Sequence, residues 1–227
     1  MGTVNRAYLR SPEDVRSWPL DPAARQSLRD YLEALPKDSG GVLQVLNGGG
    51  LDFTGADLSG LDLTEAEFSE AQLSGVRMEG ADLYGAWLMA ATLHGADLTG
   101  CRMRKVEGRA CDARHAILRE VDLERAEFED ADFRGADLSG ALFRTGRMLG
   151  ADLRGADLRG CSFGTSAGPT PLQKARLAGC LLTGATGRVW GPVDIGAQTP
   201  DFIDSDDLNQ WFASQGAPEL EVVYPAP

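Results

Sequence analysis

The sequence predicts an all-β solenoid, and three observations predict it. A five-residue unit repeats without a slip from residue 51 to 165, purest in ADLSG, ADLYG, ADLTG, ADFRG and ADLRG. With the register set on Leu58, the 23 unit centres from Phe53 to Phe163 hold twelve Leu, six Phe and three Met, and the position two before the centre is Ala in 14 units. Gly stands two places after the centre in 12 of the 23 units, where a type II turn needs positive φ. A period of five fits neither a 3.6-residue helix nor a continuous strand. The two apolar positions of a unit are two residues apart, so one very short extended segment puts both on one face and the rest turns the chain. Segment and turn in alternation make a coil, the mark of a repeat architecture.

The flanks read differently. Residues 1–50 form an N-terminal helical extension and cap. Ser11, Pro12, Glu13 and Asp14 resemble one helix start. Asp21 as N-cap with Pro22 at the first helical position makes a better one, running to about Leu35 before Pro36,. Leu28, Tyr31, Leu32 and Leu35 lie on one stripe, so this helix packs on something,. KDSGG is a turn and Val42 to Leu46 a short strand,. After Phe163 the register breaks at GTSAGPTP, a loop over 164–171, and resumes at Leu172, Leu177 and Leu182. The solenoid therefore spans 51–187. The extruded loop is either a contact element or a tolerated insertion. Residues 188–227 hold a helix begun by the acids of Asp204-Ser205-Asp206-Asp207 and ended near Gly216, then a strand over Leu220 to Tyr224,. Leu208, Trp211 and Phe212 form the apolar face of that helix. An open solenoid end exposes core, so this helix caps one end or dimerises two rods.

Runs of A(D/N)LxG resemble the pentapeptide-repeat proteins, over about 60% of the chain. The resemblance implies a right-handed quadrilateral β-helix with four units and 20 residues per coil, here a rod of roughly 30 Å at one strand separation per coil. Residues twenty apart then stack in columns, and the outward residues sort into four faces. The first face sets Thr54, Ser74, His94, Arg114, Arg134 and Arg154 beside Asp52, Gln72, Thr92, Asp112, Asp132 and Asp152, a compensated ladder. The third carries a basic knot, Arg102, Arg104 and Lys105. The fourth holds Glu67, Glu70, Trp87, Met89, Glu107, Glu127, Glu129 and Asp130 against Arg109 and Arg147. Outward Trp and Met among acids read as a partner-binding surface, or as a patch under the N-terminal helix. Segment 103–130 is an anomaly: its turn position is Lys105, Ala110, His115, Glu120, Arg125 and Asp130, never Gly, and its centres shrink to Gly108 and Ala113. A changed turn type and a thinned core are expected there, from structural drift or from a partner's docking.

The net charge of −12 and pI near 4.6 exclude binding of nucleic acid through its phosphates, which needs a basic face. Cys101, Cys111, Cys161 and Cys180 all occupy the small inward position and no CxxC pair exists, so they read as reduced core residues. MGTVNRAYLRSPED carries no apolar run of signal-peptide length, and no stretch reaches the ~20 apolar residues of a membrane span,. A cytoplasmic location is the expectation. No nucleophile elbow, HExxH, P-loop or GxGxxG is present,. Catalytic, metal and cofactor sites are not expected, and neither is an enzyme. Some proteins of the family it resembles are DNA mimics: acidic rods that occupy the DNA-binding saddle of type II topoisomerases, DNA gyrase or topoisomerase IV, and protect it from quinolones or toxins. That is the first functional reading. The alternative is an interaction scaffold, or an immunity or regulatory protein, that binds another protein through the acidic face around Trp87. Residues 51–165 hold 21 acids against 13 bases, acidic but far from uniform.

Overall fold

A computed structural model describes residue 8 and residues 10–35, 44–165 and 168–223. The predicted turn at 37–41, the start of the predicted strand at 42–46 and residue 224 lie outside these. The repeat folds as a β-helix whose coils stack in parallel. The outward residue before each centre bridges its counterpart one coil on: Asp52 to Gln72, Gln72 to Thr92, and so on to Leu142 with Ser162. Each rung is tied both ways, as where Phe53 N–H donates to Gln72 O (2.8 Å) and Gln72 N–H to Leu51 O (2.9 Å). The side chains two before and at the centre are buried together in one continuous core from Phe53 to Leu182.

Each unit turns by the same device. The centre's carbonyl accepts from the N–H three residues on, as from Ala56 to Phe53 (3.0 Å). The residue two after the centre has positive φ, +69° at Gly55 and +66° at Gly135. The expected change of turn type in segment 103–130 does not occur. Lys105 (φ 59°), Ala110 (54°), His115 (56°), Glu120 (55°), Arg125 (60°) and Asp130 (56°) all take the left-handed conformation. Each non-glycine residue there costs roughly 1–2 kcal/mol, and the inter-coil bonds on either side hold it in place.

The core is not thinned either. A methyl group on Gly108 would lie 2.2 Å from the Phe128 ring. That ring, stacked one coil on, fills the space a larger centre would take, and Phe133 stands on the rung one coil on from Ala113. Phe128 and Phe133 meet edge to face at 5.2 Å. Gly48, at the first centre of the same column, is likewise filled, by Phe53 and Phe68. Volume is conserved across coils rather than within them.

The loop after Phe163 adds four residues to one coil, so Asp152 bridges Arg176 and Asp157 bridges Leu181. The buried Thr170 hydroxyl closes it, donating to Phe143 O (2.8 Å) and accepting from Gly164 N–H (2.9 Å). The ladder begins at Asn47 and its last rung is Arg176 with Asp194, beyond the sequence-based limits of 51 and 187. Strand β1 (Thr170–Pro171) pairs in parallel with β2 (Thr186–Trp190), which pairs in parallel with β5 (Glu219–Val222). Strands β3 (Val193–Asp194) and β4 (Phe202–Ile203) form a short antiparallel pair.

Helix α1 (Pro22–Ala34) has Asp21 as N-cap, accepting from Ala24 N–H (2.7 Å). Its Ala24, Leu28, Tyr31 and Leu32 are buried. It lies on the first coil, where Tyr31 OH donates to Asp62 O (2.7 Å) and Ser27 to Asn47 O (2.5 Å). Upstream, a single 3₁₀ turn (Pro12–Asp14) closes with a Ser11–Asp14 capping box. Helix α2 (Ser205–Ser214) buries Leu208 and Phe212 and packs on β5.

The first face carries the ladder expected of it. Arg114, Arg134 and Arg154 each fork onto the aspartate two residues before, with one N–H···O of 2.6 Å to Asp112, Asp132 and Asp152 respectively. Asp152 is also 3.4 Å from Arg176, which reaches Asp194 at 3.4 Å. Hydrogen bonds from Arg114 hold the Asp112 carboxyl below its usual range. Burial opposes the same shift at Asp152, but the hydrogen bonds and charge of Arg154 outweigh it and lower that carboxyl too.

Two outcomes are expected. Gly108→Ala overpacks the Phe128 ring at a cost of about 1–3 kcal/mol. Phe128→Leu opens a gap of similar cost, and the double variant recovers at least about 1 kcal/mol of the sum; strictly additive denaturation energies would contradict the cross-coil packing. Asp152→Asn keeps the turn acceptor but removes the charge, costing about 1 kcal/mol at pH 7. Because the folded carboxyl is lowered, its contribution is complete above the ordinary aspartate value of about 3.9 and fades as pH falls through the folded value. Wild type and variant should thus converge in stability at the acid end of a denaturation series.

Candidate functional site

The repeat gives most of its acids a structural duty. The aspartate before a centre turns its carboxylate back to accept the N–H of the residue after the centre, as from Thr54 to Asp52 (2.8 Å), Tyr84 to Asp82 (3.0 Å) and Thr99 to Asp97 (3.1 Å). This is the Asx turn, which fixes the corner of each unit. Much of the negative charge along the rod is therefore part of the fold.

On the third face the basic knot is consumed within the chain. Arg102 forks onto Asp82 (2.9 and 2.6 Å) and lies 4.9 Å over the Tyr84 ring. The Lys105 ammonium sits 5.1 Å from the same ring, and Arg104 pairs with Glu124 at 3.0 Å. Tyr84, the platform for two cations, has no place among the sequence-derived site residues. The signal was present: an aromatic residue at an outward position with cations 18 and 21 residues on.

The fourth face differs. Glu67, Trp87, Glu107 and Glu127 occupy consecutive rungs of one column. Met89 and Glu129 belong to the column after the centres, and Glu70 and Asp130 sit at turn corners, both with positive φ. The fold thus brings all eight predicted residues to one side of the rod. Arg109 is paired with Glu127 and Arg147 with Glu129, each at 2.6 Å. Glu67 gives one oxygen to Ser69 N–H (2.6 Å). Glu70, Glu107 and Asp130 form no ion pair among the described residues. Trp87 is 48% exposed, and Met89 is half-buried. Trp87 is left exposed by α1, whose hydrogen bonds with the repeat run, among the described residues, to Asn47 and Asp62. The amphipathic stripe of α1 showed that it packs, but not where.

The remaining candidates sort by burial. Leu208 and Phe212 are fully buried inside the chain and Trp211 is half-buried, its ring 5.6 Å from that of Phe212. His94 and His115 meet edge to face at 5.5 Å on the first face. The four cysteines are free and buried, and burial raises each thiol to about 12. Among the described residues no group of three or more His, Cys, Asp or Glu could hold a metal ion, and no helix is long and apolar enough to cross a membrane.

Comparisons with known proteins bear on the repeat. The Pentapeptide repeats family matches in eight copies, over residues 52–88, 66–104 and 109–144. No curated protein matches the sequence. Among solved structures, QnrB1, a plasmid-mediated fluoroquinolone resistance protein in a trypsin-treated form, superposes with a TM-score of 0.53 at 20% identity, over 73% of this chain and 83% of its own. HetL, a pentapeptide repeat protein involved in heterocyst differentiation regulation in the cyanobacterium Nostoc, gives 0.44 at 25% identity, over 62% and 70%. A pentapeptide repeat protein of the Arabidopsis thaliana thylakoid lumen gives 0.31 at 32% identity, over 43% and 68%. Residues 52–104 and 109–144 are thus pentapeptide repeats, the same period, core and turn continue past them to Leu182, and the fold of such repeats is a right-handed β-helix.

Proposed function

We propose that the chain is a non-enzymatic, protein-binding solenoid whose fourth face receives the partner. One observation carries this: Trp87, 48% exposed, stands in a column of glutamates with no described element over it. An exposed aromatic anchor in a regular, rigid surface is what a docking hot spot needs, and the rod presents it without conformational change. The flanks serve the rod. Residues 1–50, through α1, and 188–227, through α2 and β5, cap its two ends. Because α2 spends Leu208 and Phe212 inside its own chain, covering an end is favoured over joining two rods. Four free, buried cysteines suit a reducing compartment such as the cytoplasm,.

A second reading keeps DNA gyrase or topoisomerase IV as the partner, with the rod as a DNA mimic. It is favoured by the net charge of −12 and by the shared fold with QnrB1. Against it, the ladder of the first face and the pairs Arg119–Asp137 and Arg159–Asp157 on the second face, whose column runs Asp57, Arg77, Asp97, Ile117, Asp137 and Asp157, neutralise much of the charge a mimic would display.

Two experiments test these readings. On immobilised wild-type protein, a partner from the native host's lysate is retained; a folded Trp87→Ala/Met89→Ala variant loses it, and equal recovery from both removes the fourth face from consideration. For the second reading, the purified chain either shields gyrase or topoisomerase IV from quinolone-induced DNA cleavage at stoichiometric ratio or fails to, and failure with both enzymes ends the topoisomerase reading.

A further inference from the structure

We propose that Trp87, with Glu67 and Glu107 on the rungs to either side, is a receptor for an arginine or lysine side chain on a basic segment of the protein partner. This rests on the fourth face being the docking surface and names the chemistry it recognises. The ladder fixes the three residues in register. Trp87 N–H donates to Ala66 O (2.9 Å), Phe68 N–H to Trp87 O (2.8 Å) and Leu88 N–H to Glu107 O (2.7 Å). Neighbouring rungs lie about 4.8 Å apart, so a carboxylate flanks the indole above and below. A cation over the ring face would gain the attraction of its π-system and that of two glutamates. Glu107 forms no ion pair among the described residues, and Glu67 spends one oxygen on its own turn.

The chain holds an internal precedent for this chemistry. On the third face, Tyr84 and the nearby Asp82 are occupied by cations of the chain itself. The Arg102 guanidinium lies 4.9 Å over the ring and forks onto Asp82, and the Lys105 ammonium lies at 5.1 Å. An aromatic ring beside a carboxylate, presented on this lattice, takes a cation. At Trp87 no described residue of the chain supplies one. Arg109 is turned to Glu127 and Arg147 to Glu129, and among the described residues no arginine or lysine lies over the indole. An apolar partner surface laid on Trp87 would bury Glu67 and Glu107 without a counter-charge, which is costly. A basic segment satisfies the ring and both carboxylates together.

The probe is a fluorescently labelled hexa-arginine peptide titrated with the full-length chain at low ionic strength and read by anisotropy. Trp87→Ala, and separately Glu67→Gln/Glu107→Gln, should each weaken binding about tenfold, and Trp87→Phe should recover most of the loss. A charge-matched control on the second face, Glu79→Gln/Asp97→Asn, should change binding less than about twofold by the same arithmetic. Thermal unfolding of each variant establishes that it is folded. Equal weakening by the control would reduce the effect to net charge and overturn the proposal. So would binding indifferent to Trp87. If hexa-arginine binding ignores Trp87 while Trp87→Ala/Met89→Ala still loses the lysate partner, the docking face stands and its cationic chemistry falls.

Discussion

The parallel ladder between coils is the constraint on which everything else in this molecule depends. Each rung lies one strand separation from the next, so the side chains of residues twenty apart are forced into columns. The core column must fill without gaps, the turn column must accept positive φ whatever residue stands there, and the outward columns must tolerate like neighbours at short range. The ladder also leaves two ends with unpaired edges and exposed core. Near one end Tyr31 and Ser27 of α1 bond to the carbonyls of Asp62 and Asn47, and toward the other β5 lies in parallel on β2.

Much of this was legible in the sequence because the repeat writes the same instruction many times. The buried positions from Phe53 to Phe163 follow the five-residue register, and the starts of α1 and α2 follow from Asp21 with Pro22 and from the acids after Asp204. What was not legible depended on partners twenty residues away. Gly108 looks like a defect within its own unit, yet Phe128 completes it from the next coil. Missing glycines at 105 to 130 suggested another turn, but a local cost of roughly 1–2 kcal/mol per residue is small beside ladder bonds made on both sides of the corner. The coil also runs on to Asp194 without its five-residue signal, because β1 and β5 hold β2 through backbone groups that no side-chain pattern records.

The same separation of local from columnar information governs the charges. The resemblance to DNA-mimicking pentapeptide-repeat proteins, matched by the net charge, implied a surface made to imitate a polyanion. The hydrogen bonds show another use: aspartate before the centre is short enough to close the corner by accepting the N–H two residues on, and where Arg follows the centre it also forks onto that carboxylate. Asp112, Asp132, Asp152 and Asp157 do both. An acidic pentapeptide surface is therefore in part a property of the coil, and its acidity alone identifies no partner.

The fourth face is where that explanation stops. Its column before the centres carries Glu67, Trp87, Glu107 and Glu127 instead of aspartate, and of these Glu67 accepts a turn N–H while Glu127 is drawn off by Arg109. Glutamate is one methylene longer than the corner requires, and tryptophan offers no carboxylate to close it. Ala90 and Glu70, in the adjoining turn positions, hold the left-handed conformation without glycine. At Trp87 the fold gains no turn bond: the corner turns without a carboxylate, and the apolar ring is left half in solvent. Trp87 and Glu107 return neither a turn bond nor an ion pair to the coil among the described residues, and that is why the proposed docking surface is centred on them.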